Sequence, residues 1–159
     1  MKRLLLIAAV IAVLIAPYMA QAAGSCVQTS YAYSVSGSVL IKLVCTGDAA
    51  NGSIPTQTIS DANMALIQWT HYFYQAKAYP TSGGTAPDAA DVTVLMDGQY
   101  LLGAKGANLI HATATQDTLP YSAFMSSYRY PMVTNTLTLA VSNQATNSAN
   151  YTLELLFVR

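Results

Sequence analysis

Beyond residue 23 the chain alternates apolar and polar positions with a period of two far more often than with a period of 3.6. A half-buried strand needs that pattern, because successive side chains point to opposite faces. Val39, Ile41 and Leu43 alternate with Leu40, Lys42 and Val44, and Val92, Val94 and Met96 with Thr93, Leu95 and Asp97. Leu137, Leu139 and Val141 oppose Thr136, Thr138 and Ala140. In the last run Tyr151, Leu153, Leu155 and Phe157 share one face, opposite Thr152, Glu154, Leu156 and Val158.

Further strands are expected at 31–35, 53–59, 66–79 and 123–130, which are rich in β-branched and aromatic residues. Turn signals punctuate them at 47–52, 80–84, Asp97-Gly98, 103–106 and 142–150. Short strands between such turns predict an all-β fold, an antiparallel β-sandwich or jelly roll. A short helix is expected over 61–67 with Asp61 as its N-cap. No internal repeat is visible, and the Pro- and Gly-rich stretch 80–90 is expected to link two halves of one sandwich.

The first 23 residues read differently. Lys2 and Arg3 precede the apolar run 4–16 and the small-residue stretch Met19-Ala20-Gln21-Ala22-Ala23. This is the order of a cleaved signal peptide, with an apolar segment too short for a stable membrane span and Pro17 breaking it before the cleavage site. Cleavage is expected after Ala22 or Ala23, leaving 24–159 as a single β-sandwich domain of ordinary size. Lipidation at Cys26 is the alternative, disfavoured because Ala23 suits the position three before a lipidated cysteine poorly. An exported location follows: periplasmic, extracellular or virion-associated, with no membrane span after signal removal.

Seven Lys and Arg balance seven Asp and Glu, and removing Lys2 and Arg3 leaves a formal charge of −2, so nucleic acid is not an expected partner. Cys26 and Cys45 are the only cysteines. In an oxidising compartment they are expected to form a disulfide.

Candidate chemistry is sparse. His71 and His111 are the only histidines, and no H-x-H, H-E-x-x-H or G-x-S-x-G pattern accompanies them. Asp88, Asp91, Asp97 and Asp117 prompt the thought of calcium, but Asp97-Gly98-Gln99 lacks the alternating ligands of a calcium loop and reads as a hairpin turn. No catalytic residue, metal or cofactor is assigned. Eleven tyrosines, Trp69 and three phenylalanines are the most suggestive feature. On a strand over 66–79, Trp69, His71 and Phe73 share one face while Tyr72 and Tyr74 point the other way. Flat apolar rings with polar tips suit glycans and protein interfaces alike, so Trp69, Tyr72 and Tyr74 are the candidate binding residues.

Only 9% of residues are charged, against roughly a quarter in an ordinary domain. Such a surface resists association poorly. The last run adds to this: Leu156 and Val158 make its outer face largely apolar, where one wet face is expected. Cover is expected from a loop or a second subunit, making Leu156 and Val158 candidate self-association residues.

The stretch Gly84-Thr85-Ala86-Pro87, leading through Asp88 and Asp91 into Val92-Thr93-Val94 and Asp97-Gly98, is followed by Gly103-Ala104-Lys105-Gly106-Ala107-Asn108. With Leu139-Ala140-Val141-Ser142-Asn143 and the closing strand, it resembles small uncharacterised proteins of tailed phages and prophages over roughly the last eighty residues. The resemblance implies a virion-associated or structural β domain, with no catalytic residues to carry over. The export signal and cysteine pair, which a virion protein assembled in the cytoplasm has no use for, imply a prophage-derived or host gene adapted to export. The expected function is therefore a non-enzymatic structural or adhesion-type protein acting by self-assembly or surface binding. A carbohydrate-binding module is the alternative, and a hydrolase with a site dispersed in sequence a further one.

Overall fold

A computed structural model describes residues 23–122 and 125–159, so the expected signal peptide, Ala23 excepted, lies outside the described residues. The alternating runs all become strands. In chain order these are β1 (Ser25–Tyr33), β2 (Ser38–Thr46), β3 (Gln57–Thr58), helix α1 (Asp61–Ile67), β4 (Tyr72–Pro80), β5 (Asp91–Met96) and β6 (Gln99–Tyr100). A 3-10 turn, Gly103–Gly106, precedes β7 (Gln116–Thr118), β8 (Tyr121–Ser122), β9 (Ser127–Tyr128), β10 (Leu137–Ser142) and β11 (Asn150–Val158).

Two antiparallel sheets carry the fold, ordered β1-β2-β11-β4-β7 and β3-β10-β5-β6, with a small hairpin β8-β9. The inward residues expected from the period of two meet in one core: Val39, Ile41 and Leu43 of β2, Tyr151, Leu153, Leu155 and Phe157 of β11, Val92 and Val94 of β5, and Leu137 and Leu139 of β10. Loop 81–90 passes from β4 in the larger sheet to β5 in the smaller one. Asp97 and Gly98 form the β5–β6 hairpin with φ of 52° and 75°. Positive φ at both central residues is the mirror-image turn whose twist matches paired strands.

Four expectations need correction. The 66–79 run is not one strand, because α1 continues to Ile67 and β4 begins only at Tyr72. Helix end and strand start are joined through Trp69, whose left-handed φ of 62° reverses the chain, so it sits on no strand face. The helix N-cap is Ser60 rather than Asp61, its side chain accepting from the Asn63 amide. The first strand starts at Ser25 and ends before Val35, which sits in the hairpin turn. The 53–59 and 123–130 stretches contribute only the two-residue strands β3 and β9, and positions 123–124 lie outside the described residues.

The stretches 84–98, 103–108 and 139–143 converge at one end of the sheets. Asp91, opening β5, accepts from the Asn108 amide at 2.7 Å through Oδ1 and from Asn143 Nδ2 at 2.7 Å through Oδ2. Asn108 and Asn143 both hold left-handed backbone, φ 53° and 64°, which Asn tolerates better than most residues. Asp88 accepts from the Ala145 amide at 3.0 Å, and the Asn150 amide donates to the Thr85 carbonyl at 2.8 Å. A Cβ at Gly106 would strike the Val92 carbonyl, so the close approach of the 3-10 turn to β5 requires glycine there. These motif residues tie loops together.

Candidate functional site: the outer face of the large sheet

Inward-facing residues of the larger sheet are spent on the core, so its opposite face is what the chain offers to its surroundings. The register places Thr29, Lys42, Glu154, Lys77 and Asp117 side by side across β1, β2, β11, β4 and β7. Charges alternate along this row, which avoids like-charge pairs. Glu154 is drawn to Lys77 at 3.8 Å and accepts from the Tyr79 hydroxyl at 2.7 Å. Burial pushes the Tyr79 phenol up to about 12, and the bond to Glu154 and that carboxylate's charge push it the same way.

On one side of the charged row the face turns apolar and aromatic. Tyr33, Leu40, Gln75 and Leu156, with Lys77 and Glu154, line a hollow of about 230 Å³. Beyond it Tyr72, Tyr74, Tyr130 and Val158 line a second, shallow one of about 420 Å³. A bulge builds the second hollow: Leu156 pairs with Gln75 and Phe157 with Phe73, leaving Tyr74 without a partner on β11. The extra residue re-aims its side chain, and Tyr74 stacks on Tyr130 with ring centres 5.1 Å apart and planes 14° from parallel.

Tyr72 and Tyr74 are thus brought together on the outer side while Phe73 is buried. Trp69 is separate: it is 65% exposed but does not line this hollow. Leu156 and Val158 lie on the outer face as the alternation requires, each half-buried. Their partial cover comes from the chain's own neighbours, Tyr33 and Leu40 beside Leu156 and Tyr72, Tyr74 and Tyr130 beside Val158.

Cys26 and Cys45 face each other in the β1–β2 register and are bonded, with Cα atoms 4.0 Å apart. Neither thiol is left for lipid. His71, almost fully buried, bonds through Nε2 to the Gly37 carbonyl at 2.8 Å and through Nδ1 to the Thr70 hydroxyl at 2.8 Å. A carbonyl only accepts, so Nε2 carries a proton. His111 Nδ1 accepts from the Thr113 and Ala114 amides. Both imidazoles are engaged in holding turns, and among the described residues neither hydrogen-bonds a carboxylate. Among the described residues no three His, Cys, Asp or Glu side chains gather as metal ligands.

A third hollow, of about 520 Å³, is lined by Gln99, Tyr100, Tyr121, Met125, Arg129 and Pro131, among others. Beside it Lys105 Nζ sits 5.4 Å from the Tyr121 ring centre, and Tyr121 meets Tyr128 edge to face. Sequence reasoning passed over this cluster, because its residues come from short irregular segments with no periodic signal. Tyr130 was missed for the same reason. No helix among the described residues is long and apolar enough to cross a membrane. Comparison with family models, curated proteins and solved structures finds no match to this chain.

Proposed function

We propose that the chain is an exported, non-enzymatic β-sandwich of structural or adhesion type, working by self-assembly or surface binding through the outer face of its large sheet. The observation that carries this reading is the outer face itself, where Leu40, Leu156 and Val158 stand among Tyr33, Tyr72, Tyr74 and Tyr130. Aromatic rings around half-covered aliphatic side chains are the composition of protein interfaces, since tyrosine supplies large contact area at small entropic cost. The disulfide favours an oxidising compartment. The resemblance to tailed-phage proteins read from the sequence motifs is the ground for a virion or cell-surface setting.

Static and dynamic light scattering of the purified chain over a concentration series tests the self-assembly arm. Leu156 and Val158 are already half-buried, so completing their burial is worth about 1 kcal/mol each, about thirtyfold in the association constant together. The variant Leu156→Asp with Val158→Asp should weaken association by at least that factor. A wild-type chain that stays monomeric at high concentration removes this arm.

The stacked Tyr74–Tyr130 pair and the exposed Trp69 favour a second reading, carbohydrate binding. Apolar ring faces with hydroxyl tips suit sugars. A glycan array read with wild type and Tyr74→Ala separates the two, since loss of a bound glycan in the variant supports this reading and an empty array rejects it.

A further inference from the structure

The two main sheets have four edges, and three are blunted. Strands β3 and β6 are two residues long and β7 is three. Edges are commonly kept this short, or protected by charge, proline or a bulge, because a long edge offers a template for another strand. The fourth edge, β1, has none of these devices: it runs nine residues, Ser25–Tyr33, holds an unbroken register with β2, and contains neither a charged residue nor a proline. Among the described residues its one strand partner is β2.

The direction of its main-chain groups follows from the hairpin. The Gly37 amide donates to the Tyr33 carbonyl at 2.8 Å, so the Tyr33 main chain faces β2. N–H and C=O groups alternate sides along a strand, which turns those of Cys26, Gln28, Ser30 and Ala32 toward the open edge. The 4.0 Å separation of the Cys26 and Cys45 Cα atoms agrees, since pairs that exchange no hydrogen bonds are the closer ones. The edge is also held in place: Gln28 Nε2 donates to the Thr58 carbonyl at 2.7 Å, and Oε1 accepts from the Ser60 amide at 3.1 Å.

We propose that β1 pairs antiparallel with β1 of a second copy of this chain, joining two five-stranded sheets into one of ten across a two-fold axis at Thr29. An antiparallel pairing of a strand with itself is closed and isologous. In the register centred on Thr29, Gln28 lies opposite Ser30 and Cys26 opposite Ala32, and these are the residues whose main-chain groups face outward. Val27 then lies beside the partner's Tyr31, a β-branched and aromatic pair of the kind that stabilises sheets. Both are exposed in the single chain, at 66% and 49%. With no charge on the strand, no repulsion opposes the pairing. This interface extends the self-assembly reading above but uses the strand edge, not Leu156 and Val158.

The two-fold axis makes the test specific. The full chain, expressed with residues 1–23 in place and purified, is compared by sedimentation velocity with Thr29→Lys, Thr29→Glu and Ser30→Pro. Wild type is expected to dimerise. Each charge variant sets like charges opposite each other at the axis and should weaken the dimer about fivefold, equivalent to about 1 kcal/mol. An equimolar mixture of the two should recover it. Ser30→Pro deletes an outward N–H without touching the β1–β2 ladder, so it should abolish the dimer while leaving the melting temperature nearly unchanged. A monomeric wild type overturns the proposal and leaves the edge to a strand from another protein. A dimer indifferent to all three variants but lost in the Leu156→Asp, Val158→Asp variant also overturns it while sustaining the outer-face reading. Charge variants that dissociate but do not recover on mixing overturn the two-fold register.

Discussion

Replacing Asp91 with alanine removes in one step the acceptor that ties β5 to the 103–108 turn and to the loop after β10. Two bonds are lost, from the Asn108 amide and from Asn143 Nδ2, each 2.7 Å long. Hydrogen bonds to a charged acceptor contribute roughly 1.5 to 3 kcal/mol each; both bonds here lie at the surface and Asp91 is half-buried, so about 1 to 1.5 kcal/mol each is expected. The expected loss is therefore about 2 to 3 kcal/mol, a fall in melting temperature of roughly 10 °C for a domain of this size. Asp91→Asn keeps an oxygen for the Asn108 amide but sets one NH₂ against another at Asn143, which a flip of Asn143 relieves. It should cost less than about 1 kcal/mol. Chemical denaturation monitored by tyrosine and tryptophan fluorescence measures both, and a double-mutant cycle with Asn143→Ala should show coupling of about 1 kcal/mol. An alanine variant within about 0.5 kcal/mol of wild type would show that the two bonds do not hold the loops. An asparagine variant as damaging as alanine would show that the charge matters rather than the hydrogen bonds.

The cysteine pair and the buried phenols give two further expectations. Cys26 and Cys45 are nineteen positions apart, so the bond should stabilise by about 3 kcal/mol in the chain-entropy model. The Cys26→Ala, Cys45→Ala variant should lose at least that in guanidinium denaturation and should resemble reduced wild type; stability equal to the oxidised protein would contradict this. Tyr79 is raised in the fold from 10.0 to about 12, and burial moves Tyr151 in the same direction. A group whose folded value is raised contributes stability present below pH 10 and lost as pH climbs through the folded value. Denaturation midpoints should hold up to about pH 10 and then fall toward pH 12, less steeply in Tyr79→Phe; a midpoint that rises over that interval would reverse the assigned sign.

Much of the fold was legible because burial on one face writes a period of two into the chain. Tyr151, Leu153, Leu155 and Phe157 read as an inward row and are one, and Asp97-Gly98 read as a turn because few other residues accept positive φ at both positions. The bounds of α1 were visible too, although Ser60 rather than Asp61 caps it. Legibility failed where local preference and tertiary contact disagree. The aromatic run 66–79 has the composition of a strand throughout, yet its first part is held as helix and turn by contacts distant in sequence: the Val133 carbonyl accepts from the Trp69 amide, and the Gly37 carbonyl takes the buried His71.

The candidate site was half legible. Tyr72 and Tyr74 could be placed opposite Phe73 by alternation alone. Their meeting with Tyr130 and Val158 depends on a bulge and on a segment nearly sixty residues away, and neither leaves a periodic trace. Sequence alone determined which residues alternate, which turns admit positive φ, and that two cysteines were available to pair. The tertiary structure decided that Asp91 gathers three motifs, that β1 is a long edge among short ones, and which tyrosines share a surface. Alternation is a local property of the strand, whereas strand order and loop docking come from contacts between distant segments, for which a single sequence carries no period.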